Sequence, residues 1–165
     1  AMVVKMSSIR TILSIVVNIN LEVELLDVKT ALLHGYLEEE IYMQQPIVFV
    51  EEGKENLLCR LRKSLYGLKQ TPRQWYWTSE SFMVEHDFNK TNVDYCVFMK
   101  KYNGGVFLIL LLYGDDMLIV RHDSKKIASL KKASSKSFAM KDMGPSKQIL
   151  GMHIVWDMTK RLLWL

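Results

Sequence analysis

Two adjacent aspartates, Asp115 and Asp116, stand between apolar runs in the stretch VFLILLLYGDDMLIV, Val106 to Val120. Eight apolar residues, Val106 to Tyr113, lead into Gly114, and four more, Met117 to Val120, lead out. Runs this rich in Val, Ile and Leu suit strands buried on both faces. Carboxylates held together where water is scarce repel each other unless a proton or a cation lies between them. Hard oxygen donors favour Mg²⁺ as that cation. The alternative is an ordinary hairpin whose tip is Gly-Asp-Asp because Gly and Asp suit turns. On this stretch by itself the two readings stand level.

A third carboxylate extends the first reading. Asp27 closes the apolar strand EVELLDV, Glu22 to Val28, much as Asp115 closes the run before it. If the two strands are neighbours, three carboxylates converge at one edge of a sheet. Such a cluster suits two Mg²⁺ ions about 4 Å apart, arranged for in-line attack on a phosphate. Taken alone, Asp27 is more commonly a strand-end acid or a helix cap.

The elements that must position these acids follow from periodicity and punctuation. Ser7 to Ile19 reads as a helix with Ser7 or Ser8 as cap and Ile9, Ile12, Leu13, Val16 and Val17 as its apolar face. Thr30 to Gly35 reads as a helical turn closed by Gly35. Short strands are expected over Glu40 to Gln44 and Leu57 to Leu61, with Ile47 to Asn56 as loop. Thr71 followed by Pro72 predicts a helix start running to about His86. Asp94 to Lys101 is a predicted strand, and Asn103-Gly104-Gly105 a hairpin turn. Ser124 to about Phe138 is a helix with Ser124 as cap and Ile127, Leu130 and Phe138 inward. Gly144-Pro145 breaks that helix off, and Gln148 to Trp156 with Arg161 to Leu165 form a last pair of strands. Hairpins separated by helices argue an α+β fold, an antiparallel sheet covered by helices on one face. No Gly-rich phosphate loop is present.

Composition narrows the function classes. The 165 residues fit one domain or a piece of one, with 49% apolar residues for a core. No run approaches the roughly 18 apolar residues of a membrane span. Ala1 to Arg10 lacks a signal-peptide layout and reads as the interior of a longer chain, so the protein is expected to be neither secreted nor membrane-bound. Cys59 and Cys96 and the four histidines form no metal-binding array, and a reducing compartment fits. The net charge of +4 conceals clustering. Asn56 to Ser79 holds no acid against Arg60, Arg62, Lys63, Lys69 and Arg73, and Arg121 to Lys141 holds seven Lys or Arg against Asp123. Such stretches can face a phosphate backbone or simply solvate exposed helices.

The motifs together resemble one family. YGDDM looks like the YVDDM signature of reverse transcriptases from Ty1/copia-type retrotransposons. LDVKTALLHGYLEEEIYMQQP (Leu26 to Pro46), CRLRKSLYGLKQTPRQWY (Cys59 to Tyr76) and SKSFAMKDMGPSKQILGM (Ser135 to Met152) are similar to the same family in the same order. The resemblance covers nearly the whole chain. It implies a polymerase palm with partial fingers, residues 1–165 being a reverse transcriptase domain truncated at the N-terminal fingers and lacking thumb and RNase H. It implies nucleotidyl transfer from a dNTP to a primer 3′-hydroxyl on an RNA or DNA template. Asp27 and Asp115 would bind two Mg²⁺ ions (Mn²⁺ can substitute), Asp116 would complete the triad, and the Val28 carbonyl would add a ligand. Leu32, Tyr66, Gly67, Leu68, Lys69, Arg73 and Gln74 would serve the nucleotide and template, and Lys141, in a loop after the basic helix, would be the general acid for pyrophosphate. The implied partners are the primed template and the rest of a Pol polyprotein: fingers, thumb, RNase H and integrase. The implied location is a cytoplasmic virus-like particle or the nucleus. The sequence departs from the family pattern at Gly114, usually Val, and at Leu32, usually Phe, where the smaller side chain predicts weaker exclusion of ribonucleotides. The alternatives are a catalytically inactive retrotransposon remnant or nucleic-acid-binding fragment, or an RNA-dependent RNA polymerase, GDD being the form seen in the viral enzymes.

Overall fold

The two apolar runs pair with each other at the centre of a six-stranded antiparallel sheet. The computed structural model describes residues 3–122, 124–145, 148–149, 152–157, 159–160 and 162–164. In chain order the elements are α1 (Met6–Ile19), β1 (Glu22–Val28), β2 (Tyr42–Gln44), β3 (Leu58–Arg60), α2 (Thr71–Glu85), β4 (Asn89–Lys90), β5 (Val97–Lys101), β6 (Phe107–Tyr113), β7 (Asp116–Arg121), α3 (Ser124–Ser137) and β8 (Met140–Pro145). The main sheet runs β4-β5-β6-β7-β1-β8, and β2 pairs with β3 as a separate ribbon. The last pair of strands expected over Gln148 to Trp156 and Arg161 to Leu165 is instead two small hairpins. In them β9 (Gln148–Ile149) pairs with β10 (Met152–His153), and β11 (Val155–Asp157) with β12 (Leu162–Trp164). Arg161 and Leu165 themselves lie outside the described residues.

The register shows why both hydrophobic runs are continuous. Leu25, Leu118, Leu111 and Val97 form one row across four strands. Glu24, Ile119, Leu110 and Phe98 form the next row, on the opposite face. Ile9 of α1 meets Leu25, Leu111 and Leu118 on the first face, and Ile12 and Ile15 lie beside Val97, Met99 and Ile109. On the second face Lys131 of α3 pairs with Glu24, and Phe138 stacks edge-on against Trp75 and Phe82 of α2. The helices therefore cover both faces, not one as expected. The apolar runs of β6 and β7 demand this, because a bare face of Leu and Ile would remain in water. The buried Glu24 in the second row is matched by two cations, Arg121 and Lys131, and Lys131 also holds Asp142 of β8 at 2.6 Å. A charge so placed is tolerated only with such partners.

Several local expectations change. Helix α1 starts at Met6, and neither serine caps it. The cap comes from far along the chain: Asp94 Oδ2 accepts from the Lys5 amide at 2.8 Å and the Ser8 hydroxyl at 2.7 Å, while Oδ1 accepts from the Cys96 amide at 3.0 Å. Thr71 does not cap α2 either. Its hydroxyl donates to the Leu65 carbonyl at 2.7 Å, and Gln70 precedes the helix in a helical conformation. The strand expected over Asp94 to Lys101 contracts to β5, leaving Asp94 in the turn before it. Gly144 and Pro145 do not end a helix but belong to β8. That strand sits at the edge of the sheet, where proline is accepted. The Ser124 side chain, expected as the cap of α3, lies outside the described residues.

Asp94 carries a stability prediction. Burial pushes its carboxyl up, but hydrogen bonds from Ser8, Lys5 and Cys96 outweigh this and hold it below the usual range. The ionised form is therefore the stabilising one. Its contribution is complete above about pH 4 and fades as the pH falls through the lowered folded-state value. Asp94→Ala should cost about 2–3 kcal/mol at pH 7, since two amides and a hydroxyl lose a charged acceptor. Urea melts at pH 7 and pH 3 check it: the gap between wild type and variant should narrow at pH 3, and a constant gap would contradict the assignment.

Candidate active site

β1, β7 and β8 lie side by side, and each brings one candidate residue to the same level. Asp27 is directly opposite Asp116 on one side and Lys141 on the other. Lys141 is thus a strand residue in register with Asp27, not a loop residue as expected, because the polar segment Met140–Pro145 pairs along β1. Directly opposed residues of an antiparallel pair share a face, and two like charges there disfavour the pairing.

Asp115 stands in the turn. Tyr113 pairs with Asp116, leaving Gly114-Asp115 as a two-residue hairpin loop. Gly114 has φ +56°, and Asp115 is not among the residues with positive φ, the pattern of a type II′ turn. Both carbonyls of the turn are captured. The Trp75 indole Nε1–H donates to the Gly114 carbonyl at 2.9 Å, and the Val28 amide donates to the Asp115 carbonyl at 2.9 Å. Val28, expected as a ligand through its carbonyl, is buried and secures the turn through its amide.

The electrostatics match the geometry. Burial, then the Asp27 charge, raises the Asp115 carboxyl above its usual pKa. Burial, then Asp27 and Asp115, raises Asp116 in the same way. The three acids therefore sense one another, and a cation would relieve the repulsion. Among the described residues no group of three His, Cys, Asp or Glu side chains is placed to hold a metal ion without help. Mg²⁺ commonly takes one or two carboxylates and completes its shell with water and substrate phosphates, so an ion here would need donors beyond these side chains. Carboxylate oxygens are the donor chemistry that Mg²⁺ takes.

The remaining candidates divide. Tyr66, Gly67 and Lys69 are exposed and Leu68 half-buried, in a loop closed by Thr71 onto Leu65 and Leu68. Gly67 has φ +94°, and a Cβ there would meet nothing, so its glycine serves backbone conformation, not contact with another part of the chain. Arg73 lays its guanidinium over the Trp77 ring, 4.5 Å from the centroid. Gln74 packs inward against Gly35. Leu32, on the single-turn helix Ala31–Leu33, is half-buried against the core. Of the basic stretches, Arg60 is paired with Glu40 and Lys63 lies over Tyr36, so part of that charge is satisfied within the chain. Trp75 was not among the sequence candidates. Its only signal was an indole donor on the buried side of a helix, where such a group needs an acceptor.

The family profile described as reverse transcriptase (RNA-dependent DNA polymerase) matches residues 1–163. The retrovirus-related Pol polyprotein from transposon TNT 1-94 of Nicotiana tabacum is 60% identical over 163 residues, 99% of this chain and 12% of that protein. The corresponding polyprotein from transposon RE2 of Arabidopsis thaliana is 35% identical over 151 residues, 92% of this chain and 10% of that protein. The transposon Ty1-NL2 Gag-Pol polyprotein of Saccharomyces cerevisiae is 31% identical over 163 residues, 93% of this chain and 9% of that protein. The chain spans about a tenth of the length of these relatives. Among the described residues no helix is long and apolar enough to cross a membrane.

Proposed function

This chain belongs to the reverse transcriptase (RNA-dependent DNA polymerase) family, and from that premise we propose that it is the palm segment, with part of the fingers, of a Ty1/copia-type retrotransposon Pol polyprotein. Its reaction is attack of a primer 3′-hydroxyl on the α-phosphorus of a dNTP paired to an RNA or DNA template. The new phosphodiester forms as the bond to pyrophosphate breaks. The observation that carries this reading is the register that sets Asp27 opposite Asp116, with Asp115 in the adjoining turn.

Asp27 and Asp115 would hold two Mg²⁺ ions, or Mn²⁺, with Asp116 completing the triad and the Val28 carbonyl as a further donor. Bound there, the ions supply Lewis-acid activation of the hydroxyl and neutralise the phosphates. Lys141, which pairs opposite Asp27, would give a proton of its Nζ to departing pyrophosphate. The open side of Gly67 gives the nucleotide and template access to the Tyr66–Lys69 backbone. Arg73 and Gln74 open the helix behind that loop, and Leu32 borders the sugar. Fingers, thumb, RNase H and integrase belong to the remainder of the polyprotein, in a cytoplasmic particle or the nucleus.

The test is extension of a primed template by this chain with Mg²⁺ and dNTPs. Extension should be abolished by chelation and should favour dNTPs over NTPs, and Leu32→Phe should sharpen that preference. A preference for NTPs would replace the reading with RNA synthesis. A second reading rests on the acid-free basic stretch Asn56 to Ser79: a remnant that binds nucleic acid without copying it. A folded chain that binds primed template yet adds no nucleotide would establish it.

A further inference from the structure

We propose that Trp75 is a positioning residue for Asp115, acting through the Gly114 carbonyl. The use made of that position rests on the polymerase reading above; the contact does not. A two-residue hairpin loop has one soft coordinate, rotation of its central peptide, here the one joining Gly114 to Asp115. In one orientation the loop is type II′, with positive φ only at Gly114; in the other it is type I′, with positive φ at both residues. Gly accepts either state, and Asp tolerates the left-handed region better than most residues. A Gly-Asp turn is therefore not fixed by its own sequence.

Trp75 makes the choice. Its Nε1–H meets the Gly114 carbonyl at 2.9 Å and so fixes the central peptide. The indole is 4% exposed and is held edge-on against Phe138, with ring centroids 5.3 Å apart at 81°, so it cannot swing away without opening the core. The Val28 amide holds the Asp115 carbonyl at 2.9 Å. Together the two donors lock both peptides that flank the Asp115 Cα, and with them the direction of its Cα–Cβ bond. Gly114 itself has open space around it and contributes no side-chain restraint. Trp75 also lies one turn beyond Thr71, which closes the Tyr66–Lys69 loop. One helix start therefore holds both the loop and the carboxylate turn.

The test replaces Trp75 with benzothienylalanine, which keeps the indole shape and lacks the N–H, alongside Trp75→Phe. Three readouts are taken: the Asp115 amide resonance, Mn²⁺ affinity by electron paramagnetic resonance, and primer extension. The isostere should give a second or broadened Asp115 resonance and about five- to tenfold weaker Mn²⁺ binding, the effect of one lost hydrogen bond. Its melting temperature should stay near wild type, and extension should fall through kcat, with KM for dNTP little changed. An isostere with a single unshifted Asp115 resonance and wild-type Mn²⁺ affinity overturns the proposal. If the wild-type chain extends no primer, the polymerase reading fails, while the resonance and Mn²⁺ data still decide the role of Trp75.

Discussion

Asp115→Asn should lower Mg²⁺-dependent primer extension by roughly three orders of magnitude while raising the melting temperature at neutral pH. The two effects share one cause. Burial and the Asp27 charge raise the Asp115 carboxyl in the folded chain, so its ionised form is less favourable there than in the unfolded chain. For an acid with a raised folded-state pKa, the cost is nil below about pH 4. It sets in as the pH climbs through the unfolded and then the folded value, and it persists above both. The stability gap between Asp115→Asn and wild type should therefore open from acid to neutral pH. Added Mg²⁺ should close it by stabilising wild type more, since a ligand shifts stability only in the state that binds it. Melting curves at pH 4 and 7.5, with and without Mg²⁺, check the stability half. A variant that extends primers as wild type does would break the metal assignment, and one that is no more stable would break the electrostatic one. This is the usual opposition of function and stability at a site of like charges.

Gly35→Ala is expected to have the second-largest effect, a loss of about 2 kcal/mol of stability from overpacking together with a fall in extension. The sequence suggested Gly35 as the close of a helical turn, a place where glycine commonly takes positive φ. Its φ is not positive, and the requirement is room instead. A Cβ on Gly35 would lie 2.6 Å from the Gln74 Cβ, 3.0 Å from the Ser64 hydroxyl and 3.1 Å from the Gln74 backbone carbon. Ser64 is fully buried and its amide donates to the Gly35 carbonyl, so it cannot retreat. The first turns of α2 must move, and Trp75, the neighbour of Gln74, moves with them off the Gly114 carbonyl. Gln74→Gly, which removes the opposing Cβ, should recover part of the loss in the double variant despite the cost of glycine in a helix. Gly35→Ala with wild-type stability would show that the close approach is not rigid.

These two positions illustrate what was legible in the sequence. β1, the β6–β7 hairpin and α2 were readable because each is specified by its own residues: a hydrophobic run, a Gly-Asp turn, a proline in a first turn. Asp27 and Asp115 could be named because each ends such a run. What could not be read depends on distant partners. β8 is a strand only because β1 offers it an edge; MKDMGP by itself has two charges, a glycine and a proline. The cap of α1 comes from Asp94, and the spacing between Gly35 and Gln74 is a property of packing. Trp75 joined the site because its single donor had to find an acceptor, and only the fold shows which one.

The place of β1 in the sheet also governs when the site comes into being. β1 lies between β7 and β8, both made later in synthesis, and Glu22 waits for Arg121 before its first pair can form. The β6–β7 hairpin needs only its own residues and can close early, because short loops close readily. Asp27 gains Asp116 and Lys141 as neighbours only once Lys141 has left the ribosome. A nascent or truncated product ending before Asp116 thus carries an isolated Asp27 and an unpaired apolar strand, a species more prone to aggregate than to act. The order of synthesis keeps the acidic cluster from assembling until the segments that restrain it are present.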